Sequence, residues 1–410
     1  MDDRDTHSET SGVTGLRRNR AVVLREETGK VLLALVVLGT AVFLGGLFVD
    51  ASRTWQIMYV NFLFWSGLAQ GGVVVSGVYR MTNSHWSEPF RGIAEGTSAF
   101  LPVSFVLLLV MMAGGRWIFP WWSAPVPGKA LWLSPQFLFG RQILISAFLL
   151  WLSLKYVAAS ALGEKSLLNG LRRFHAGIPP VLEAASVPPE TARLLSRLTP
   201  LLLVSFGILF PFVGFDLAMS LDPSWSSTLF GWMYALHAFY GGIVATMLFA
   251  LASHLWLGLD SEFGKEEWRD MANLVLGISL LSGGFAWSQY LVIWYGNLPE
   301  ETSFLVSRFH TPPWPVATWL SIFGAYFLGL FAFIVKPLKE HPAILFVIGL
   351  LILKALFLER FVLVVPWLWH GRDFPFGFLE SFVTLGFASS FVWVWLFYAK
   401  KMKHAGNDSQ

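Results

Sequence analysis

Lys354 is the residue with the sharpest chemistry in the chain. It falls midway along an apolar run, GLLILKALFLERFVLVVPW (349–367). A charged group inside a bilayer is costly and marks function by default. At that depth an ammonium is too far in to snorkel easily, so it needs a carboxylate, a carbonyl or water. Glu380, in the last apolar run, is a candidate partner. Glu359 lies five residues on and faces another side of the same helix, with Arg360 beside it. Two readings stand: a proton-carrying or quinone-facing track, or a static ion pair that fixes helix packing.

His237, in GWMYALHAFYGG (231–242), is the one histidine of nine deep inside an apolar run. Its ordinary pKa near neutrality suits a proton relay or a bond to a quinone carbonyl. The alternative is a histidine bonded across a helix interface. A transmembrane b haem wants paired histidines, which are absent. Glu95, in RGIAEGTSAFLPV (91–103), is either the mouth of a proton half-channel or a carboxylate favoured by a helix N-terminus. Asp216 and Asp222 share GFDLAMSLDPSW (214–225), where Asp222-Pro223 predicts a turn or helix start. The run FAWSQYLVIWYGNLPEET (285–302) places Ser288, Gln289 and Tyr290 inside a span, puts Trp294 and Tyr295 at the interface, and makes Asn297 through Glu301 a turn. No zinc spacing, phosphate-cradling loop or nucleophile elbow occurs, so no residue receives a catalytic or metal-ligating role.

The elements that must position these groups are membrane helices. Of 410 residues, 55% are hydrophobic and only 13% charged, with 20 Trp and 37 Phe. A soluble protein of this size could not cover so much apolar surface. A helix needs roughly 20 apolar residues to span the hydrocarbon. Ten runs qualify, near 31–49, 56–79, 93–114, 137–160, 196–217, 228–254, 271–295, 314–335, 342–367 and 377–399. The predicted fold is an all-α integral membrane protein: a polar tail over 1–30, one ten-helix domain over 31–400 and a basic tail over 401–410.

With the first tail in the cytoplasm, 21 of the 29 lysines and arginines fall on the cytoplasmic side. Five (Arg53, Arg116, Lys129, Arg308 and Arg372) fall outside, and Arg141, Lys354 and Arg360 fall within spans. That asymmetry predicts both termini cytoplasmic. The first 30 residues lack the pattern of a signal peptide. The outer run RWIFPWWSAPVPGKALW (116–132) reads as an aromatic belt, and 161–195, with GIPPVLEAASVPPET, as the longest loop. A net charge of +3 is too weak to argue for nucleic acid. Without cysteine the chain carries no disulfide, thiolate-held iron–sulfur cluster or covalently attached haem.

A faint repeat lays GLAQGGVVVSGVYRMTNSHW (67–86) over LHAFYGGIVATMLFALASHLW (236–256), matching Gly71-Gly72 with Gly241-Gly242 and Ser84-His85 with Ser253-His254. It predicts two parallel four-helix bundles, helices 2–5 and 6–9, flanked by helices 1 and 10. Small residues at close helix contacts would give the same pairs without a repeat.

Two longer runs carry a resemblance. SLDPSWSSTLFGWMYA (220–235) and WSQYLVIWYGNLPEET (287–302), with WSEPFRGIAE (86–95), resemble the ActF-type subunit of bacterial alternative complex III, within the NrfD/PsrC-like membrane family. The second-helix run WSGLAQGGVVVSG (65–77) lacks the histidine of the sister ActC-type subunit. The resemblance implies a subunit of a quinol:electron-acceptor oxidoreductase in the bacterial inner membrane. It implies an ActC-like quinol-binding subunit, an iron–sulfur protein and c-type cytochromes as partners. Menaquinol is the implied substrate of the complex and menaquinone a possible ligand, whereas this chain is expected to hold no redox centre and to contribute a proton pathway or a quinone contact. On that reading Lys354, Glu380, His237 and Glu95 line one track, with Asp216, Glu359, Arg360, Gln289 and Tyr290 as further candidates. A secondary transporter, with spans broken at the midplane of both halves, and a structural scaffold are the competing readings.

Overall fold

The computed structural model describes residues 6–124, 126–175, 188–257, 263–369, 371 and 373–405, with side chains except at 6–26, 85, 163–175, 254–257 and 400–405. Among the described residues all regular structure is helical. Ten helical stretches there are long and apolar enough to cross a membrane. We number them spans 1 to 10: Glu27–Val49, Ala51–Met81, Glu88–Ile118, Pro135–Leu162, Pro189–Leu221, Thr228–Ser253, Lys265–Gly296, Trp314–Ile334, Pro342–Trp367 and Phe378–Ala399. They match the ten apolar runs. Ten crossings put both ends on one face, called here the tail side; the opposite face is the far side.

Span boundaries follow local chemistry. Proline opens spans 4, 5 and 9, where its missing N–H costs nothing. Asp50 caps span 2 by accepting from the Arg53 N–H at 3.0 Å. Asn297 ends span 7 in a left-handed conformation. Past it, the expected turn is helix: Pro299–Phe309 forms a short connector on the far side. The helix of span 4 also continues to His175, so the expected loop starts later than residue 161. Most of GIPPVLEAASVPPET lies outside the described residues, and helix resumes at Pro189.

Spans 2, 3, 4 and 5 close into a ring, each packed on the next and span 5 returning to span 2. Spans 6, 7, 8 and 9 close in the same way. The rings meet along spans 2 and 6, and the contacts of span 5 with 6 and of span 9 with 2 flank that seam as equivalents. The glycine pairs of the repeat lie face to face there. A Cβ on Gly71 would stand 2.0 Å from the Ala238 carbonyl oxygen, and one on Gly242 would stand 2.4 Å from the Gly71 carbonyl carbon. Spans 1 and 10 flank the rings as a couple, packed on each other through Gly39 and Gly386 and laid against spans 2 and 3.

The expected aromatic belt at 116–132 folds partly inward. Trp121 is buried and donates to the Ser220 carbonyl at 2.8 Å, while Trp117 stacks on Trp55 of span 2. This segment caps the far end of the first ring.

Candidate functional site: buried carboxylates in the two rings

Near the tail side, span 3 is jointed. An α-helix over Glu88–Glu95 passes through a 3-10 turn, Gly96–Phe100, into Leu101–Ile118. Glu95 closes the first stretch, so it is not the helix N-terminal carboxylate that one sequence reading allowed. It is fully buried. Ser76 and Ser160 hydroxyls donate to its Oε1 at 2.7 and 2.6 Å. Arg80 stands 3.8 Å away, donates to the Tyr156 hydroxyl at 3.2 Å and also donates to Ser160. The spacing explains the meeting: residues four apart share a helix face, here Ser76 with Arg80 on span 2 and Tyr156 with Ser160 on span 4.

Polar groups continue through the same ring. Gln70 donates to Ser153 at 2.9 Å. Gln70 also lines a cavity of about 50 Å³ with Ser66, Ser104 and Ser146 among apolar side chains. That volume has room for more than one water. Leu217 lines the same cavity, and its carbonyl accepts from the buried Tyr59 hydroxyl. Its neighbour Asp216 is buried and held in a two-pronged pair with Arg141 at 2.7 and 2.6 Å, with Gln142 as a third donor. The Arg141 guanidinium stacks 3.7 Å from the Trp132 ring.

The second ring holds a separate cluster. His237 Nδ1 and Glu359 Oε1 are 2.8 Å apart, and the Tyr326 hydroxyl donates to the same oxygen at 3.3 Å. Tyr326 sits in a π-helical turn, Phe323–Phe327, inside span 8. Such turns add a residue to the helix and re-aim side chains, often at functional sites. Arg360 donates to the Tyr234 carbonyl at 3.2 Å and lies over its ring. His237 Nε2 and Glu359 Oε2 are buried with no hydrogen-bond partner among the described residues.

The two remaining members of the expected track lie elsewhere. Glu380 does not meet Lys354. It pairs with Arg53 at 2.5 and 2.9 Å near the far side and accepts from the Gly377 N–H at 2.7 Å. Lys354 is exposed, with no hydrogen bond or ion pair to any described residue. A single track through Lys354, Glu380, His237 and Glu95 is therefore absent: they occupy an outer helix face, the far end of span 10, the second ring and the first ring. The reason is helix phase, which a linear reading of depth cannot supply.

The dense polar run 285–302 also divides by face. Ser288 and Tyr290 are exposed, whereas Gln289 turns inward and accepts from the Ser227 hydroxyl at 2.5 Å. Gln289, Trp225, Ser227, Thr228, Trp132 and Glu301 line a far-side cavity of about 490 Å³ between spans 5, 6 and 7. Asp222 makes the expected turn, accepting from the Ser224 N–H at 3.0 Å.

Sequence reasoning missed Arg141, Gln142, Gln70, Tyr326 and the Ser76–Arg80 and Tyr156–Ser160 pairs. The sequence reading counts Arg80 among the cytoplasmic-side charges and places Arg141 within a span without a role. Polar residues four apart inside an apolar run were the available signal. Ten apolar helices, eight of them closed into two rings around these buried polar groups, make the chain an all-α, multi-pass integral membrane protein. Comparison with protein-family models and with curated proteins finds no match for the chain.

Proposed function

We propose that this chain is the proton-handling membrane subunit of a quinol:electron-acceptor oxidoreductase, with its first helix ring conducting protons between Glu95 and Asp216. The observation that carries the reading is the ladder in spans 2 to 5. A buried carboxylate stands near each side, with serine and tyrosine hydroxyls, Gln70 and a cavity with room for water between them. Hydroxyls and water pass protons along hydrogen bonds, while carboxylates accept and release them. The family resemblance of 220–235 and 287–302 supports the quinol-linked setting, and the lysine and arginine asymmetry favours Glu95 on the cytoplasmic side.

The transporter reading is disfavoured by continuity. Spans 3 and 8 change helical pitch without opening into irregular backbone, so neither half carries a midplane break among the described residues. A quinone contact fits the cavity at Gln289 better than His237, which is packed on every side.

The test is gentle purification of the tagged chain from its native membranes, followed by reconstitution of the complex in vesicles with a pH dye inside. Haem-bearing partners should co-purify. Glu95→Gln should lower protons moved per electron several-fold while quinol oxidation continues in uncoupled vesicles. A colourless, solitary chain would sink the oxidoreductase reading. Unchanged proton yield in both Glu95→Gln and Asp216→Asn would sink the pathway.

A further inference from the structure

Lys354 poses a separate question. It lies 12 residues from Pro342 and 13 from Trp367, the ends of span 9. At helical rise it stands about 18 Å from one end and about 20 Å from the other. That is farther than a four-carbon stem can carry its ammonium to water. Its helix face is otherwise apolar: Val347, Leu350 and Leu351 are exposed beside it, one to two turns toward the tail side. The opposite faces of span 9 are occupied. Ala355 meets Gly324 of span 8, Gly349 meets Met247 of span 6, and Phe357 meets Phe64 of span 2. Lys354 therefore sits at mid-depth on the outer surface of the second ring with no partner among the described residues. Lipid tails offer it nothing, and lipid headgroups are out of reach.

We infer that this face of span 9 docks a transmembrane helix of a different protein, which brings a carboxylate to mid-membrane depth against Lys354. Charge decides the chemistry: an ammonium excluded from water is satisfied by an anion or by polar acceptors at its own level. A second copy of this chain does not supply one. The buried carboxylates Glu95, Asp216, Glu359 and Glu380 face inward, and the exposed acidic side chains described lie at span ends or in connections. A two-fold contact through this face would also bring two lysines together. The inference goes beyond the proton pathway, since it concerns neither Glu95 nor Asp216.

The experiment uses dicyclohexylcarbodiimide on native membranes that contain the full chain. This apolar reagent activates a membrane carboxylate, and an adjacent lysine amine displaces the urea to leave an amide bond. Peptide mass spectrometry should then find Lys354 joined to an Asp or Glu within an apolar segment of another polypeptide. Lys354→Met should abolish that linkage and lower co-purification of the same polypeptide at least ten-fold, while leaving the melting temperature of the solitary chain in detergent unchanged. Linkage of Lys354 to a carboxylate of this chain, whether its own or a second copy's, would overturn the inference. So would full co-purification in Lys354→Met with no linkage in the natural chain. The proton test and this test fail independently, because Glu95→Gln leaves the docking face intact.

Discussion

Arg308 shows how a single side chain can complete a helix end. It lies in the connector Pro299–Phe309, buried, and its guanidinium donates to the carbonyls of Phe304, Val362 and Leu363 at 2.9, 3.2 and 3.0 Å. The Val362 carbonyl would ordinarily accept from the residue four positions on. That residue is Pro366, which has no N–H. Burial pushes the guanidinium below its ordinary pKa, and the Asp222 carboxylate works against that shift. Arg308→Met keeps the volume but strands the carbonyls. We expect a loss of about 2–3 kcal/mol, read from thermal unfolding in detergent. In the second ring, Glu359→Ala leaves His237 and Arg360 without their buried carboxylate. Its expected cost is larger, about 3–5 kcal/mol. Glu359→Gln, which retains shape and hydrogen bonding, should lose less in the same assay; equal losses would mean that the carboxylate's charge alone carries the stabilisation.

Among the elements, spans 2 and 6 carry the architecture. They are the most enclosed, with 83% of the most apolar window of span 2 buried inside the protein. Their crossing depends on bare backbone at Gly71 and Gly242, and van der Waals packing is what holds helices together in lipid. Gly242→Val should drive the rings apart, seen as aggregation on size-exclusion chromatography. Gly277 provides the control. It is exposed on span 7 and a Cβ there meets nothing within 4 Å. Gly277→Ala should be neutral or raise stability by up to about 1 kcal/mol, because alanine loses less backbone entropy in a helix. If both substitutions behave alike, the seam is not glycine-dependent.

For the whole molecule, the distribution of basic residues predicts orientation, and the lack of cysteine makes the check simple. Glu300→Cys on the connector should react with an impermeant maleimide added to intact cells. Lys336→Cys, at the other end of span 8, should react only after the membrane is opened. The reverse pattern would invert the molecule and move Glu95 to the outside. The pairing of spans 1 and 10 against spans 2 and 3 leaves the outer surface of spans 8 and 9 open, and the Lys354 face belongs to that surface.

The ten crossings were legible in the sequence, because each is set by a local run of apolar residues long enough for the bilayer, although helices such as Pro189–Leu221 reach beyond those runs. The sequence also placed the glycine pairs that face each other across the seam, and it marked Glu95, Asp216, His237 and Glu359 as charged or polar groups out of place in apolar helices. Which of these groups meet depends on three-dimensional packing. Helical phase turns Lys354 outward and Glu359 inward although five residues separate them. Packing between spans distant in sequence joins Glu380 to Arg53, Asp216 to Arg141 and Glu95 to Ser160. A lipid-facing and a protein-facing position look equally apolar in sequence, since tails and neighbouring helices favour the same side chains. The partner of a buried charge is therefore settled by the arrangement of the rings.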